Sequence, residues 1–262
     1  MSDLSAAPAP GSGSRTDRVI DSVKDMIARG ELRAGDRLPV EKDLAQRLGV
    51  SRGSLREGVR ALASLGVLET RQGDGTYVTE LDPHMLLRPL AFYADLQETA
   101  QAAHLLAVRR VLETEAAGLA ASRLDAEGLD ELDAILDAVD LVVNRGSVDP
   151  EEFIDADAAF HRAIADASEN PALAGMVTAL VTRTLRGRLW RAITERDSVK
   201  TAHMEHRAVL EALRAHDPER ARIRMAAHLL GVEEFASAHP AQTAPDIGDV
   251  ASSGANVEAP DQ

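Results

Sequence analysis

The stretch that decides the fold is Val50–Leu65, which reads V-S-R-G-S-L-R-E-G-V-R-A-L-A-S-L. Its apolar residues recur at steps of three and four and form one helical face, made of Leu55, Val59, Leu62 and Leu65. Its arginines recur every four residues and form a separate basic stripe, made of Arg52, Arg56 and Arg60. Ser51 stands where an N-cap residue belongs, so we expect this helix to begin at Arg52.

A helix with such a basic stripe is compatible with two roles. Its arginines can pair with guanine O6 and N7 in a DNA major groove, or they can clamp phosphates. Alternatively, they are solvated side chains on an ordinary surface helix, which is the better interpretation of the stretch in isolation. The sequence on either side of the helix favours DNA.

Helical periods precede this helix at Thr16–Arg29 and Glu41–Leu48, and Gly49 provides a tight turn into it. Two short apolar-polar stretches follow it and predict a β-hairpin. The strands are Val67–Arg71 and Thr76–Thr79, with the turn at Gln72–Gly75. Three helices and a hairpin predict a winged helix–turn–helix domain.

The rest of the chain shows helical periods and no strand pattern, so the fold class is mainly α. We predict a bundle of six or seven helices, with periods at Thr99–Ser122, Ala126–Asn144, Pro150–Ala167, Leu173–Thr194, Val199–Ala215 and Pro218–Ser237. The predicted organisation is a disordered tail (1–14), the winged helix–turn–helix (15–79), a linker (80–90), the helical domain (91–237) and a second disordered tail (238–262).

The charge distribution is uneven along the chain. The net charge is −14, yet Arg15–Thr79 carries 12 basic and 10 acidic residues, so the acidity lies in the remainder. A small basic face can dock on phosphates whatever the global sum. The chain has no cysteine, no apolar run of roughly 20 residues and no signal-peptide pattern. We therefore expect a soluble cytoplasmic protein with no membrane partner.

The segment from Leu32 to Val78 closely resembles the DNA-binding domain of the GntR family of bacterial transcription regulators. The resemblance rests on L-P-x-E, L-A, G-V-S-R, R-E and the hairpin. It implies DNA contacts from Lys42, Arg52, Arg56 and the hairpin glycine Gly73. Asp74 departs from the family pattern, because it puts a negative charge on the tip of the hairpin.

Four residues of the helical domain form a candidate metal site. Asp157 and His161 are one helical turn apart and leave the same face, while His206 and His228 lie in later helical periods. One carboxylate and three imidazoles suit a divalent ion, with zinc first and nickel or manganese as alternatives. The competing interpretations are hydrogen-bonded core histidines and an ordinary surface Asp–His pair. His203 is a weaker candidate ligand.

The D-x-x-F-H segment at Asp157–His161 and the R-x-x-L-E segment at Arg109–Glu113 resemble the FCD effector domain of the FadR subfamily. The resemblance implies that Asp157, His161, His206 and His228 hold a metal. It also implies that Arg109 faces the same cavity and forks onto a small organic or sugar acid. The competing interpretation of Arg109 is a salt bridge to Glu113 or Glu115 on its own helix.

The preferred hypothesis is a transcription regulator, not an enzyme, and we expect a repressor. As a homodimer it would bind a palindromic DNA operator, and a carboxylic-acid effector would change the arrangement of its two DNA-binding domains. A metal-dependent hydrolase or lyase is the first alternative, although no second Glu or His near the ligands has the pattern of a general base. The second alternative is a non-catalytic protein-binding bundle with a vestigial DNA reader.

Overall fold

The structure is a computed structural model that describes residues 14–87, 89, 99–144, 150–183 and 198–238. The chain divides into two compact units, Met1–Pro89 and Leu90–Gln262, and each is described by itself. The predicted tails lie outside the described residues except for Ser14 and Ala238, as do part of the linker and residues 184–194 of the fourth predicted bundle helix.

The first unit is a winged helix–turn–helix, as predicted. Its elements are α1 (Arg15–Ala28), α2 (Glu41–Leu48), α3 (Arg52–Ser64), β1 (Leu68–Arg71), β2 (Gly75–Val78) and a one-turn helix α4 (Pro83–Leu86). Ser14 begins α1 through a capping box with Asp17, so the residue assigned to the tail is the N-cap. Ser51 caps α3 by accepting a hydrogen bond from the Ser54 amide, which confirms the predicted start.

Gly49 sets the angle between α2 and α3. It ends α2 in the left-handed conformation with φ of 63°, which a residue with a side chain rarely adopts. The apolar stripes of the three helices then meet in one core with the hairpin. Its buried members include Val19, Val23, Leu44, Leu55, Leu62, Leu68 and Val78. The basic stripe of α3 is left outside this core, facing solvent.

The hairpin has a third extended neighbour that the sequence did not indicate. β1 and β2 are antiparallel, with Leu68 opposite Val78. The loop before α2 also pairs with β2: the Leu38 amide donates to the Thr76 carbonyl at 2.8 Å, and the Val78 amide donates to the Asp36 carbonyl at 2.9 Å. These bonds satisfy the outer edge of a two-stranded sheet, which is marginal on its own.

In the described part of the second unit, all regular elements are helices, as predicted. Its six helices there are α5 (Thr99–Ala121), α6 (Ala126–Asn144), α7 (Pro150–Ala167), α8 (Pro171–Arg183), α9 (Ser198–Arg214) and α10 (Pro218–Ala238). Helix α5 is central, because α7, α8, α9 and α10 all pack against it. Its buried face is rich in alanine, at Ala116, Ala117, Ala120 and Ala121. Small side chains at these positions allow several helices to approach one helix closely.

Among the described helices, none is both long enough and apolar enough to cross a lipid bilayer.

The packing of α1 on α3 makes one testable prediction, at Gly58. A Cβ added there would lie 2.6 Å from Val19 Cγ1 and 2.7 Å from Val19 Cβ. We expect Gly58→Ala to destabilise the first unit by about 1–2 kcal/mol, because overpacking outweighs the gain of about 1 kcal/mol in helix propensity. Hydrogen exchange of amides in residues 15–78 measures this change locally.

Gly53→Ala is the matched control on the same helix. The nearest atom to its added Cβ is Ser51 Oγ at an ordinary 3.7 Å, so this variant should gain stability from helix propensity. Equal or slower exchange in Gly58→Ala than in the wild type would contradict the packing described here.

Candidate functional site

The four predicted metal ligands meet in the core of the second unit. Asp157 and His161 lie on α7, His206 lies on α9 and His228 lies on α10. All four side chains are buried, and one potential ligand atom from each lies within 4.8 Å of all the others. Residues separated by up to 71 positions therefore converge at one point, and the interpretation as an ordinary surface Asp–His pair does not hold.

The Nε2 atoms of the three imidazoles point toward the shared centre. His206 Nε2 lies 3.2 Å from His228 Nε2 and 3.5 Å from Asp157 Oδ1. His161 Nε2 lies 3.9 Å from the same Asp157 oxygen. The three rings also stack edge to face or in parallel, with centroids 4.5–5.3 Å apart. One carboxylate oxygen and three ring nitrogens thus surround one small volume.

Two glutamates contact two of these imidazole rings at Nδ1, across the ring from the Nε2 atom that faces the cluster. Glu205 Oε2 lies 2.8 Å from His228 Nδ1, and the Glu113 carboxylate contacts His161 Nδ1 directly. A carboxylate at Nδ1 accepts the proton of that nitrogen, which leaves the Nε2 lone pair directed at the cluster. Glu113 and Glu205 are therefore positioning residues for the imidazoles.

Burial keeps two of the imidazoles neutral near pH 7. Burial lowers the pKa of His228 to about 4, and the hydrogen bond to Glu205 opposes this only in part. Burial likewise lowers the pKa of His161, although the Glu113 carboxylate raises it. A neutral imidazole is the form that can donate a lone pair to a metal.

Glu113 itself is fully buried and charged. Burial raises the pKa of its carboxyl, but the Arg109 guanidinium and His161 outweigh burial and bring the pKa to about 2. The Arg109 Nε donates to Glu113 Oε1, and both side chains are almost completely buried. The contacts of Glu113 with Arg109 and His161 therefore link α5 to α7.

The donor set fits a divalent cation. Within the part of the chain that the structure describes, His161 Nε2 is buried and has no hydrogen-bond partner. An unsatisfied buried ring nitrogen is costly, and a cation at the centre would satisfy it together with the neighbouring donors. Three nitrogens and one oxygen with carboxylate support behind the rings are typical of zinc and related ions.

The sequence allows two roles for Arg109, which are effector binding and a salt bridge within its own helix. The competing interpretation predicted a salt bridge to Glu113 or Glu115, and the structure pairs Arg109 with Glu113. Glu115 is instead paired with Arg222, at 3.2 Å. The effector-binding role of Arg109 remains a prediction, because its guanidinium is already engaged on one edge.

His203, the weaker candidate, is buried but lies outside the cluster. Its Nε2 hydrogen bonds to Asp140 Oδ1 at 2.8 Å. His104 and His216 are exposed, His84 is half-buried, and His239 lies outside the described residues.

Sequence reasoning missed both positioning glutamates. From the sequence, Glu113 is a candidate only as the partner of Arg109, although a charged residue on the buried face of an alanine-rich helix indicates a buried polar site. Glu205 carried no local signal, because its imidazole partner lies 23 residues later on another helix.

The predicted DNA-contacting residues lie on the outside of the first unit. Lys42, Arg52 and Arg56 are exposed on α2 and α3. Arg56 Nε donates to the Glu41 carboxylate at 3.0 Å, so one of its five N–H donors is engaged within the domain. Gly73 adopts φ of 76°, and a Cβ added there would meet no atom within 4 Å.

The negative charge of Asp74 at the hairpin tip is compensated locally. The Tyr77 hydroxyl donates to Asp74 Oδ2 at 2.7 Å. Arg37 contacts the Asp74 carbonyl and lies 3.8 Å from its Oδ1. The tip therefore presents Arg37 beside the carboxylate, a residue that the sequence pattern did not mark.

Comparison with known proteins identifies the family of this chain. Residues 15–78 match the bacterial regulatory proteins of the gntR family, and residues 104–231 match the FCD domain. The HTH-type transcriptional regulator LutR of Bacillus subtilis (strain 168) is 33% identical over 219 residues, which cover 82% of this chain and 97% of LutR. The chain belongs to the GntR family of bacterial transcription regulators.

Two further similar proteins support the same family assignment. A protein of Escherichia coli (strain K12), named for regulation of an L-lactate dehydrogenase operon, is 33% identical over 231 residues, covering 82% of this GntR-family chain and 83% of its own. A solved Streptococcus agalactiae GntR structure has a TM-score of 0.62 at 27% identity, covering 84% of this chain and 99% of that one.

These relatives and domains are DNA-binding transcription regulators, so the chain is a regulator rather than the metal-dependent hydrolase or lyase considered from the sequence.

The buried pair of Arg109 and Glu113 makes a stability prediction. We expect Arg109→Leu to destabilise the FCD unit by about 3–5 kcal/mol, because the Glu113 charge is left buried without its main partner. Denaturant unfolding, followed by hydrogen exchange in peptides from residues 104–138, measures the change.

Arg110→Leu is the control, one position along the same helix. Arg110 pairs with Glu233 at 2.8 Å where both side chains are partly solvated, so its loss should cost about 0–1 kcal/mol. Equal effects of the two substitutions would contradict the role of Arg109 as the main partner of the buried Glu113 charge.

Proposed function

We propose that this GntR-family regulator senses a small organic acid through a divalent metal ion in its FCD domain and, as a cytoplasmic homodimer, represses transcription from a palindromic operator. The single observation that carries the proposal is the buried convergence of Asp157, His161, His206 and His228. A hydrogen-bonded core histidine accounts for a single ring, as at His203, whereas one bound cation would account for all four groups together.

The residues that would hold the metal are the four members of this cluster. Zinc suits the three imidazoles and one carboxylate best, and nickel and manganese are the alternatives. When bound, the ion supplies a Lewis-acidic site that an organic carboxylate can coordinate. Glu113 and Glu205 contribute by fixing the orientation and tautomer of His161 and His228.

Arg109 is the proposed second contact for the acid. Its Nε is held by Glu113, so an effector carboxylate would use the other edge of the guanidinium. The name of the E. coli relative, which refers to L-lactate, supports starting with small hydroxy acids and then extending to sugar acids. Recognition by charge and coordination together would reject neutral metabolites of similar size.

Helix α3 is the proposed recognition helix. Its first turn carries Arg52, and Arg56 follows one turn later on the same face. Lys42 and the backbone around Gly73 would contact the phosphates and the minor groove on either side. In a dimer, two such helices read two half-sites, and binding of the acid shifts the population between two arrangements of the dimer.

Thermal-shift measurements on the intact protein test whether the cluster binds zinc and whether an acid then binds to the zinc-loaded protein. Zinc alone should raise the melting temperature, and a chelator should reverse this change. An effector should raise it further only in the metal-loaded protein. His206→Gln should abolish both shifts, whereas the control His104→Gln, at an exposed position, should retain them. A zinc-induced shift that survives His206→Gln would contradict the assigned site.

Binding to a DNA fragment from the gene's own upstream region tests whether α3 recognises DNA. We expect Arg52→Ala and Arg56→Ala each to cost about 1–3 kcal/mol of affinity, because each removes a contact to bases or phosphates. Arg214→Ala, an exposed ion-paired arginine of the FCD unit, is the control and should bind like the wild type. Unchanged affinity in both α3 variants would favour the protein-binding bundle with a vestigial reader.

A further inference from the structure

The hairpin of the first unit carries an arginine from outside its own two strands. Arg37 pairs with Tyr77 of β2, and three backbone hydrogen bonds of 2.8–2.9 Å between residues 35–38 and β2 fix this pairing. Tyr77 in turn lies opposite Glu69 of β1. Paired residues of neighbouring strands project to the same face of a sheet, so these three side chains share one face. Leu68 and Val78 project to the other face, into the core.

Gly75 leaves the space in which the Arg37 side chain crosses the hairpin. Gly75 lies two residues before Tyr77 and therefore on the same face of β2. A Cβ added at Gly75 would lie 2.5 Å from Arg37 Nε and 3.1 Å from Arg37 Cζ. The guanidinium therefore passes over Gly75 and reaches the hairpin tip, where it donates to the Asp74 carbonyl.

The guanidinium of Arg37 keeps most of its donors available. Its side chain is 56% exposed, and among the described residues its hydrogen bond and its ion pair are both to Asp74. The Asp74 carboxylate lies 3.8 Å from Arg37 Nη1 and accepts its hydrogen bond from the Tyr77 hydroxyl instead. A guanidinium has five N–H donors, so Arg37 can hold the tip and bind a further acceptor at the same time.

Arg71, which shares this face, is less suited to bind a further acceptor. Its Nε and Nη2 both contact the Glu69 carboxylate, and its guanidinium carbon lies 4.3 Å from the centre of the Tyr77 ring. Two N–H groups and one face of this guanidinium are therefore engaged within the hairpin. Arg37 is the arginine that the hairpin presents at its tip.

We propose that Arg37 is the side chain with which the hairpin contacts the minor groove of DNA, and that Gly75 positions it by leaving its path clear. The inference rests on the proposed function, which gives the hairpin only a backbone contact around Gly73. The minor groove is about 6 Å wide, which admits glycine backbone and one flat guanidinium. Its negative potential is strongest where A·T pairs narrow it, so Arg37 should favour A·T pairs.

The same arrangement accommodates Asp74 beside DNA. An isolated carboxylate at the hairpin tip would be repelled by the phosphates. Here the Tyr77 hydroxyl donates to the carboxylate at 2.7 Å, and Arg37 brings a positive charge to the same tip. Removal of Arg37 would therefore take away a contact to DNA and also leave the Asp74 charge uncompensated.

Binding of the full-length protein to the upstream DNA fragment tests the contact. Arg37→Ala should weaken binding about tenfold. Arg29→Ala, which removes another exposed, ion-paired arginine of the same unit, is the control and should bind like the wild type. Gly75→Ala should weaken binding when Arg37 is present, because the added Cβ displaces the guanidinium. It should have a much smaller effect in the Arg37→Ala background, where backbone strain alone remains.

Base substitution within the bound DNA segment tests which groove is contacted. Each A·T pair of the hydroxyl-radical footprint is replaced in turn by G·C and by inosine·C. An inosine·C pair presents the major groove of G·C but lacks its minor-groove amino group. Where Arg37 contacts the DNA, G·C should weaken wild-type binding about fivefold and inosine·C should not. Arg37→Ala should bind all three sequences equally.

A purely structural role for Arg37 is the competing explanation, and hydrogen exchange separates the two. The backbone bonds from residues 35–38 should hold the hairpin in Arg37→Ala, so amides in residues 68–78 should exchange as in the wild type. Faster exchange there would overturn the inference, and so would unchanged affinity in Arg37→Ala.

Two further results would also overturn the inference. One is an equal effect of Gly75→Ala in both backgrounds, and the other is the lack of any pair at which G·C weakens binding and inosine·C does not. A wild type that binds no specific segment of the upstream DNA would instead defeat the proposed function, and the inference with it.

Discussion

The buried carboxylate of Glu113 is the constraint on which the FCD unit depends. A charge in a protein interior is tolerated only when it is paired and hydrogen bonded. Glu113 meets this condition by contacting Arg109 on its own helix and His161 on α7. The contact with His161 ties α5 to α7 at this point.

The convergence of the buried Asp–His cluster follows from that arrangement. Once Glu113 holds His161 Nδ1, the Nε2 of that ring must face inward, where Asp157, His206 and His228 also point. Glu205 does the same for His228 from α9. The cluster thus joins three helices, and a ligand that changes the spacing of its members would shift the packing of all three. The proposed sensing of an acid requires such a coupling between ligand binding and helix packing.

Much of this could be predicted from local patterns. The periods of α6 and α7, the N-cap at Ser51 and the left-handed turn at Gly49 depend on nearest neighbours, so the sequence shows them. Asp157 and His161 are one turn apart and could be placed on one face. That His206 and His228 join them was inferred by resemblance, since spacing alone left core histidines open.

The rest depends on contacts between distant residues. Glu205 is adjacent to His206 but supports His228, and Arg56 pairs with Glu41 of the preceding helix. Arg37 reaches Asp74 across 37 positions. None of these pairs has a period or a motif, because each is set by how helices and loops meet in the folded units.

X-ray absorption spectroscopy of the zinc-loaded protein at the zinc edge tests whether the buried Asp–His cluster holds the metal. We predict one tightly bound ion per chain with nitrogen and oxygen neighbours at about 2.0–2.1 Å and the multiple-scattering signature of three imidazoles. His161→Gln should reduce that signature to two imidazoles. A spectrum without imidazole scattering, or one unchanged by His161→Gln, would contradict the claim that these buried rings form a metal centre.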